Sequence, residues 1–280
     1  MEKLPIVISA SRMTDMPAFY PQHIISEVEA RKLRGLTIHT IALWTKHIDS
    51  VFKEPLHSYL AEQQKNETQL YINLTITGMG KDSFVMGSHS HKVFPEPCVP
   101  PMSHSLSLID QLIDFMGSPE RIRLRVDPLV RLRDAEGNIF SNYDKLFEIT
   151  DILHPKGINH YSFSFLEKDI YKKIDTRFAR YGIEILPPDA SERQDWIAKV
   201  NRHSSAKKVI ISACSVPGLP QSACIDGNLL QRLHPRQLPL DLSQPRSREL
   251  CGCTKSVDIG GWPPKTCFSG CIYCYARPKL

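Results

Sequence analysis

Arg121-Ile-Arg-Leu-Arg-Val-Asp127-Pro128 is a short run in which charged and apolar residues alternate. A period of two marks a β-strand, and it points Ile122, Leu124 and Val126 to one face and Arg123, Arg125 and Asp127 to the other. The apolar face requires a core. The charged face, if it lies inside the fold, must be paired or must bind an anion, because an isolated buried charge is too costly. Helical periodicity flanks the run on both sides, with an amphipathic helix from Ser105 to Met116 before it and a helix from Asn142 to Leu153 after it.

The same unit repeats in both directions. Leu4 to Ser9, Leu36 to Trp44, Gln69 to Thr77, Ile158 to Phe165, Ile183 to Leu186 and Lys208 to Ser212 read as further short strands. Between them, Pro17 to about Lys32, Leu56 to Gln64, Lys168 to Arg180 and Ser191 to about Arg202 read as helices. Such alternation predicts an α/β fold with a parallel sheet, its seven strands curled into a complete or partial (β/α) barrel. An open doubly wound sheet is the alternative. The expected division is a barrel-like domain over residues 1–234, including a short helix from Asp226 to Leu233, a linker rich in proline and arginine over 235–250, and a cysteine-rich tail over 251–280 packed on the barrel.

Residues 81–104 are the least regular and read as a long loop or lid. Their histidines His89, His91 and His104, with Cys98, fit no common zinc spacing and are expected to be solvated. The formal charge of +5, from 35 basic and 30 acidic side chains, is too small to imply nucleic-acid binding unless it gathers on one face. No apolar run approaches the length of a membrane span, and the first residues do not resemble a signal peptide. A soluble, cytoplasmic protein with no membrane partner is expected.

Five of the eight cysteines fall in the last thirty residues. Cys267, Cys271 and Cys274 have the spacing C-x3-C-x2-C, which suits three corners of a 4Fe-4S cube better than a tetrahedral zinc. Three thiolates leave one iron without a protein ligand, open to chelation by S-adenosylmethionine. A structural zinc completed by Cys251 or Cys253 is the competing assignment. Cys214, Cys224, Cys251 and Cys253 then remain as a possible second, closed four-cysteine centre, holding either zinc or an iron-sulfur cluster, although Cys214 and Cys224 also read as buried small hydrophobes.

The triplet is similar to the signature of radical S-adenosylmethionine enzymes. Together with Ile8-Ser9-Ala-Ser11-Arg12-x-Thr14-Asp15-x-Pro17-Ala-Phe19-Tyr20, Trp44-Thr45-Lys46, Thr75-x-Thr77-Gly78, Arg125-x-Asp127-Pro128, Ser164-Phe165, Ala223-Cys224-Ile-Asp226 and Cys251-Gly-Cys253-x-Lys255-Ser256-Val-Asp258-Ile-Gly260, it resembles the family DUF1848. Members of that family are described as similar to spore photoproduct lyase in the cluster region. The resemblance implies a radical enzyme that forms a 5′-deoxyadenosyl radical, acts on a small-molecule or nucleotide-like substrate, and is served by an electron donor of the flavodoxin or ferredoxin type.

In a (β/α) fold the reacting groups gather where strands end. On that ground Arg12, Lys46, Arg125 and Asp127 are the candidate catalytic residues, and Thr75, Thr77 and Ser164, with Tyr273 beside the triplet, the candidate cofactor-binding residues. A metal-stabilised protein, holding zinc or an iron-sulfur cluster and binding an anion or nucleic acid without radical chemistry, is the other reading of the same residues.

Overall fold

The computed structural model describes residues 4–81, 92–214, 216–245 and 250–280. Its centre is a seven-stranded sheet of β1 (Ile6–Ser9), β2 (Ile38–Thr45), β3 (Gln69–Thr75), β4 (Ile122–Leu129), β7 (His160–Phe165), β9 (Ile210–Ala213) and β10 (Val257–Asp258). A small second sheet holds β5 (Arg131–Arg133), β6 (Ile139–Ser141) and β8 (Glu184–Ile185). The helices are α1 (Met16–Phe19), α2 (Pro21–Leu33), α3 (Leu56–Lys65), α4 (Met102–Ser107), α5 (Ile109–Met116), α6 (Lys145–Leu153), α7 (Lys172–Arg180), α8 (Ala190–Lys207) and α9 (Gly227–Leu233).

Every pairing in the large sheet is parallel, in the order β10-β1-β2-β3-β4-β7-β9. From β1 to β9 the order follows the chain without reversal, which excludes the doubly wound alternative. Among the described residues β9 does not pair with β10, and the sheet closes no ring.

The two faces have different chemistry, as the alternation in β4 requires. Ile72, Leu124 and Phe163 point into a core shared with Val28 of α2, Leu60 of α3, Leu112 of α5, Ile149 of α6 and Val200 of α8. On the other face Val7, Ala42, Trp44 and Tyr71 pack under Leu229 and Leu230 of α9, with Leu240 and Cys253. Between these apolar contacts lie Ser9, Asn73, Arg123, Ser162 and Ser212, all buried. The backbone of the covering segment helps to satisfy them: Asn73 Nδ2 donates to the Cys224 carbonyl at 3.2 Å and Gln69 Nε2 to the Leu230 carbonyl at 3.0 Å.

Three expectations need correction. Ile183 to Leu186 does not enter the large sheet; Glu184–Ile185 pairs antiparallel with β5, Leu132 opposite Ile185 and Arg133 opposite Glu184. The hairpin of β5 and β6 supplies a nearby backbone edge, and the Arg133–Glu184 ion pair at 2.5 Å reinforces the pairing. The seventh strand of the large sheet is instead β10, from the tail, in register Ile8 to Val257 and Ser9 to Asp258. The helices expected from Pro17 and from Ser105 are each two pieces. Tyr20 at φ −140° separates α1 from α2, and Pro21 follows it at the first position of the second helix, where no amide donor is required. α4 begins at Met102 and meets α5 at Leu108. His104 and Cys98 are exposed, while His89 and His91 lie outside the described residues.

His39 is buried at the far end of β2 from the tail. Its Nε2 donates to the Leu238 carbonyl at 3.0 Å, its Nδ1 accepts from the Thr40 hydroxyl at 2.7 Å, and the His234 ring lies 4.2 Å away. Burial, with the positive form of His234 adding to it, pushes the His39 pKa down to about 4 from the ordinary 6.5. Arg121, Arg236 and Glu67 act electrostatically on His234. Because the folded value is depressed, the His39 contribution to stability is complete above pH 6.5 and is lost as pH falls through about 4. The thermal midpoint is expected to fall across that window, and His39→Gln to fall less; equal pH slopes for the two proteins would show that His39 is not the titrating group.

Candidate functional site

The parallel sheet places the C-terminal ends of β1, β2, β3, β4 and β7 along one edge, and the tail folds back over it. The Thr14 hydroxyl donates to the Lys265 carbonyl at 2.9 Å and the Tyr20 hydroxyl to the Thr266 carbonyl at 2.8 Å. Ile272 N bonds the Pro95 carbonyl at 3.1 Å and Cys98 N the Ser269 carbonyl at 3.3 Å. From α7, Arg177 donates to the carbonyls of Ile272 and Cys274, at 3.2 and 2.6 Å. Gly270 sits at φ +68° with a Pro97 ring carbon 3.0 Å from where a side chain would start, so the turn between Cys267 and Cys271 needs glycine.

This clamp holds the three thiols together. Cys267 and Cys271 are buried and Cys274 nearly so, and Cys271 feels the charge of both others. Burial pushes the Cys271 thiol well up, Glu96 adds to the rise, and Lys46 opposes it. Burial raises Cys274 as well, against the Ala276 amide, which donates to its sulfur at 3.3 Å. Neighbouring thiols whose ionisation is disfavoured at Cys271 and Cys274 are a donor set that a positively charged metal would stabilise as thiolates. The chemistry of the set therefore fits a thiolate-bound cluster. Among the described residues the sulfurs are not drawn into a metal-holding geometry.

Beside the triplet is a buried carboxylate. Glu96 is 1% exposed and receives Lys46 Nζ at 2.8 Å, the Thr77 hydroxyl at 2.7 Å and the Tyr273 hydroxyl. Burial alone would lower the Lys46 pKa, but Glu96 and then Cys271 outweigh it and hold the ammonium above its ordinary value. Lys46 Nζ also lies 5.6 Å from the centre of the Tyr273 ring. Three candidate residues, Lys46, Thr77 and Tyr273, thus meet at a group that the sequence reading did not include.

A second set gathers at the ends of β4 and β7. Arg125 pairs with Asp127, and the Ser164 hydroxyl donates to the same carboxylate. Trp44 lies near two guanidinium groups, Arg125 at 5.1 Å and the exposed Arg12 at 5.9 Å from its ring, while its indole nitrogen donates to Ser9 Oγ at 3.0 Å. Such contacts are worth about 0.5–1 kcal/mol where solvent reaches them. Asp127 also acts on Lys46, which joins the two sets electrostatically. Thr75 is buried at the end of β3, next to Arg125 in the register.

Cys224 and Cys253 lie against each other under Trp44 and Tyr71. The Cys253 thiol donates to Cys224, and with Arg125 and Arg123 nearby this lowers the Cys224 pKa while that of Cys253 rises. Cys251 acts on Cys253, and Cys214 on Arg125. None of the eight cysteines forms a disulfide.

Two further residues escaped the sequence reading. Asp15 does cap α1, its Oδ1 accepting from Ala18 N at 3.2 Å, but its Oδ2 also accepts from Thr45 Oγ1 at 3.0 Å and Lys46 N at 2.7 Å. Burial raises its pKa, opposed by His47 and these bonds. The ring of His47 reaches Ser269 of the cysteine loop, Nε2 to Oγ 3.0 Å. A hollow of about 460 Å³ at Tyr143, Trp196 and Arg202 contains none of the candidate residues.

These features define a parallel α/β protein whose cysteine-rich tail covers one edge of its sheet. The chain belongs to DUF1848, described as a domain of unknown function, whose family model matches residues 7–276. Neither a curated protein nor a solved structure matches it.

Proposed function

We propose that this chain is a radical S-adenosylmethionine-type enzyme, with the sheet acting as a partial (β/α) barrel and the tail covering its strand-end mouth. The observation that supports the reading is the convergence of Cys271, Tyr273, Lys46 and Glu96 at the ends of β2 and β3. Cys267, Cys271 and Cys274 would hold a 4Fe-4S cluster with one open iron. With S-adenosylmethionine bound there and an external electron supplied, the group would provide one-electron reductive cleavage of the sulfonium for hydrogen-atom abstraction from substrate.

The chain's own residues bind and shield. Glu96 fixes Tyr273, and through it the last turn of the cysteine loop, while Lys46 offsets negative charge beside Cys271. Thr77 orients Glu96 from β3. Arg125, held by Asp127, whose carboxylate also accepts from Ser164, and placed over Trp44, presents a cation for an anionic or nucleotide-like substrate or for the carboxylate of the cofactor. The electron is delivered by a small flavodoxin- or ferredoxin-type donor. No described helix is long and apolar enough to cross a membrane.

The test is anaerobic reconstitution with iron and sulfide, reduction, addition of S-adenosylmethionine, and chromatography for 5′-deoxyadenosine. Product above a no-protein control supports the proposal. Stoichiometric zinc without iron, and no product, would replace it with the metal-stabilised anion-binding reading that Arg123 and Arg125 also suit.

A further inference from the structure

The covered face of the sheet poses an unsolved charge problem. Arg123 is 2% exposed, and its hydrogen bonds go to neutral partners, the hydroxyls of Tyr71 at 3.2 Å and Ser212 at 3.4 Å. Asp226 acts on it without a hydrogen bond, its Oδ1 being used to cap α9 at Leu229 N. A buried guanidinium without a bonded anion is costly, and it calls for negative charge nearby. The groups that Arg123 and Arg125 share as electrostatic neighbours include Cys224. Ser162 Oγ and Asn73 Oδ1, on the same buried face, have no hydrogen-bond partner.

The backbone brings four cysteines to this place from three segments. Ala213 N bonds the Pro220 carbonyl at 2.9 Å and Ser222 N the Ala213 carbonyl at 3.1 Å, which lays residues 220–224 along the chain leading into Cys214. Gly252 N bonds the Ser222 carbonyl at 3.1 Å and Thr254 N the Ile225 carbonyl at 2.9 Å, which lays Cys251 and Cys253 along the other side of Cys224. Hydrogen bonds across 213, 222 and 252 thus join the end of β9, the lead into α9 and the start of the tail.

We infer that Cys214, Cys224, Cys251 and Cys253 form a second, closed metal centre, distinct from the triplet, whose negative charge is partly offset by Arg123. Four thiolates around zinc(II), or around a 4Fe-4S cube in its usual 2+ state, each leave a net charge of two minus. In forming the centre, each sulfur releases its proton to solvent and makes one bond to metal. Among the described residues these four sulfurs are not grouped as a metal site, so forming the centre must draw them together and replace the hydrogen bond between Cys253 and Cys224. A closed centre leaves no open iron, so its role is to fasten the tail to the sheet.

The experiment uses the full chain with Cys267, Cys271 and Cys274 all changed to serine, purified without oxygen, and measures zinc, iron and sulfide per chain together with far-ultraviolet circular dichroism. The expected result is a folded protein holding about one zinc, or about four iron and four sulfide, the two arms separating the two metals. Adding Cys224→Ser and Cys253→Ser should remove that metal, and Cys98→Ser should not. A folded triple variant with no stoichiometric metal would overturn the inference. If the triple variant does not fold, Cys224→Ser with Cys253→Ser in the otherwise unchanged chain decides: loss of one centre supports the inference, and unchanged metal content refutes it. Neither readout involves S-adenosylmethionine, so failure of the radical assay and failure of this inference remain distinguishable.

Discussion

Cys271→Ser is expected to bring 5′-deoxyadenosine formation down to the assay background while the sheet remains folded. A serine oxygen is a poor substitute for thiolate at iron, and two remaining thiols cannot define the open corner that S-adenosylmethionine needs. Cys271 is buried beside Ile272 and Tyr273, in a small core separate from the main one. The tail has attachments that do not involve its sulfur, from β10 on β1 and from Thr14 and Tyr20 to the carbonyls of Lys265 and Thr266. The check is iron content and product measured on the same sample, with circular dichroism as the control for folding. Product at the wild-type level from an iron-containing serine variant would remove Cys271 from the ligand set.

Glu96→Ala should be the most destabilising single change near the site. It leaves the Lys46 ammonium, 17% exposed, without its ion-pair partner, and it strands the hydroxyls of Thr77 and Tyr273. Removing one member of a buried pair costs about 3–5 kcal/mol, which for a chain of this size lowers the thermal midpoint by about 5–9 °C. Glu96→Gln keeps an acceptor for the two hydroxyls but loses the charge, and its midpoint should lie between the other two. Lys46→Met combined with Glu96→Ala should recover part of the loss, since the unpaired cation is then gone. Scanning calorimetry of the four proteins decides. A fall of less than about 2 °C for Glu96→Ala would show that the carboxylate does not hold the tail.

Much of the sheet was legible because its strands carry an apolar face at period two, as Ile122, Leu124 and Val126 do. Membership was less legible. Glu184–Ile185 has the local look of a buried strand, but periodicity does not say which backbone edge is nearest, and the hairpin at 131–141 was closer. Val257–Asp258 is two residues long and left no pattern to read. The site divides in the same way. Arg125, Asp127 and Ser164 follow from strand-end positions within one sheet. Glu96 lies in a proline-rich irregular stretch and meets Tyr273 across 177 residues, a contact that no local signal encodes. Asp15 caps α1 with one carboxylate oxygen, and the role of the other, on Thr45 and Lys46 some thirty residues away, is visible only in three dimensions.

The pairing of β10 with β1 bears on how the protein is made. The outer edge of β1 leaves the ribosome about 250 residues before its partner at Val257 and Asp258. At the usual pace of about 5–20 residues per second, the nascent chain spends roughly 12 to 50 s with that edge uncovered. An unpaired strand edge is a template for pairing with another chain. The segment 257–274 carries both the strand that covers this edge and the Cys267, Cys271 and Cys274 triplet. Completion of the sheet and arrival of these thiols are therefore one event in the life of the nascent chain, and a ribosome that stalls before residue 257 would leave behind a product exposed to aggregation.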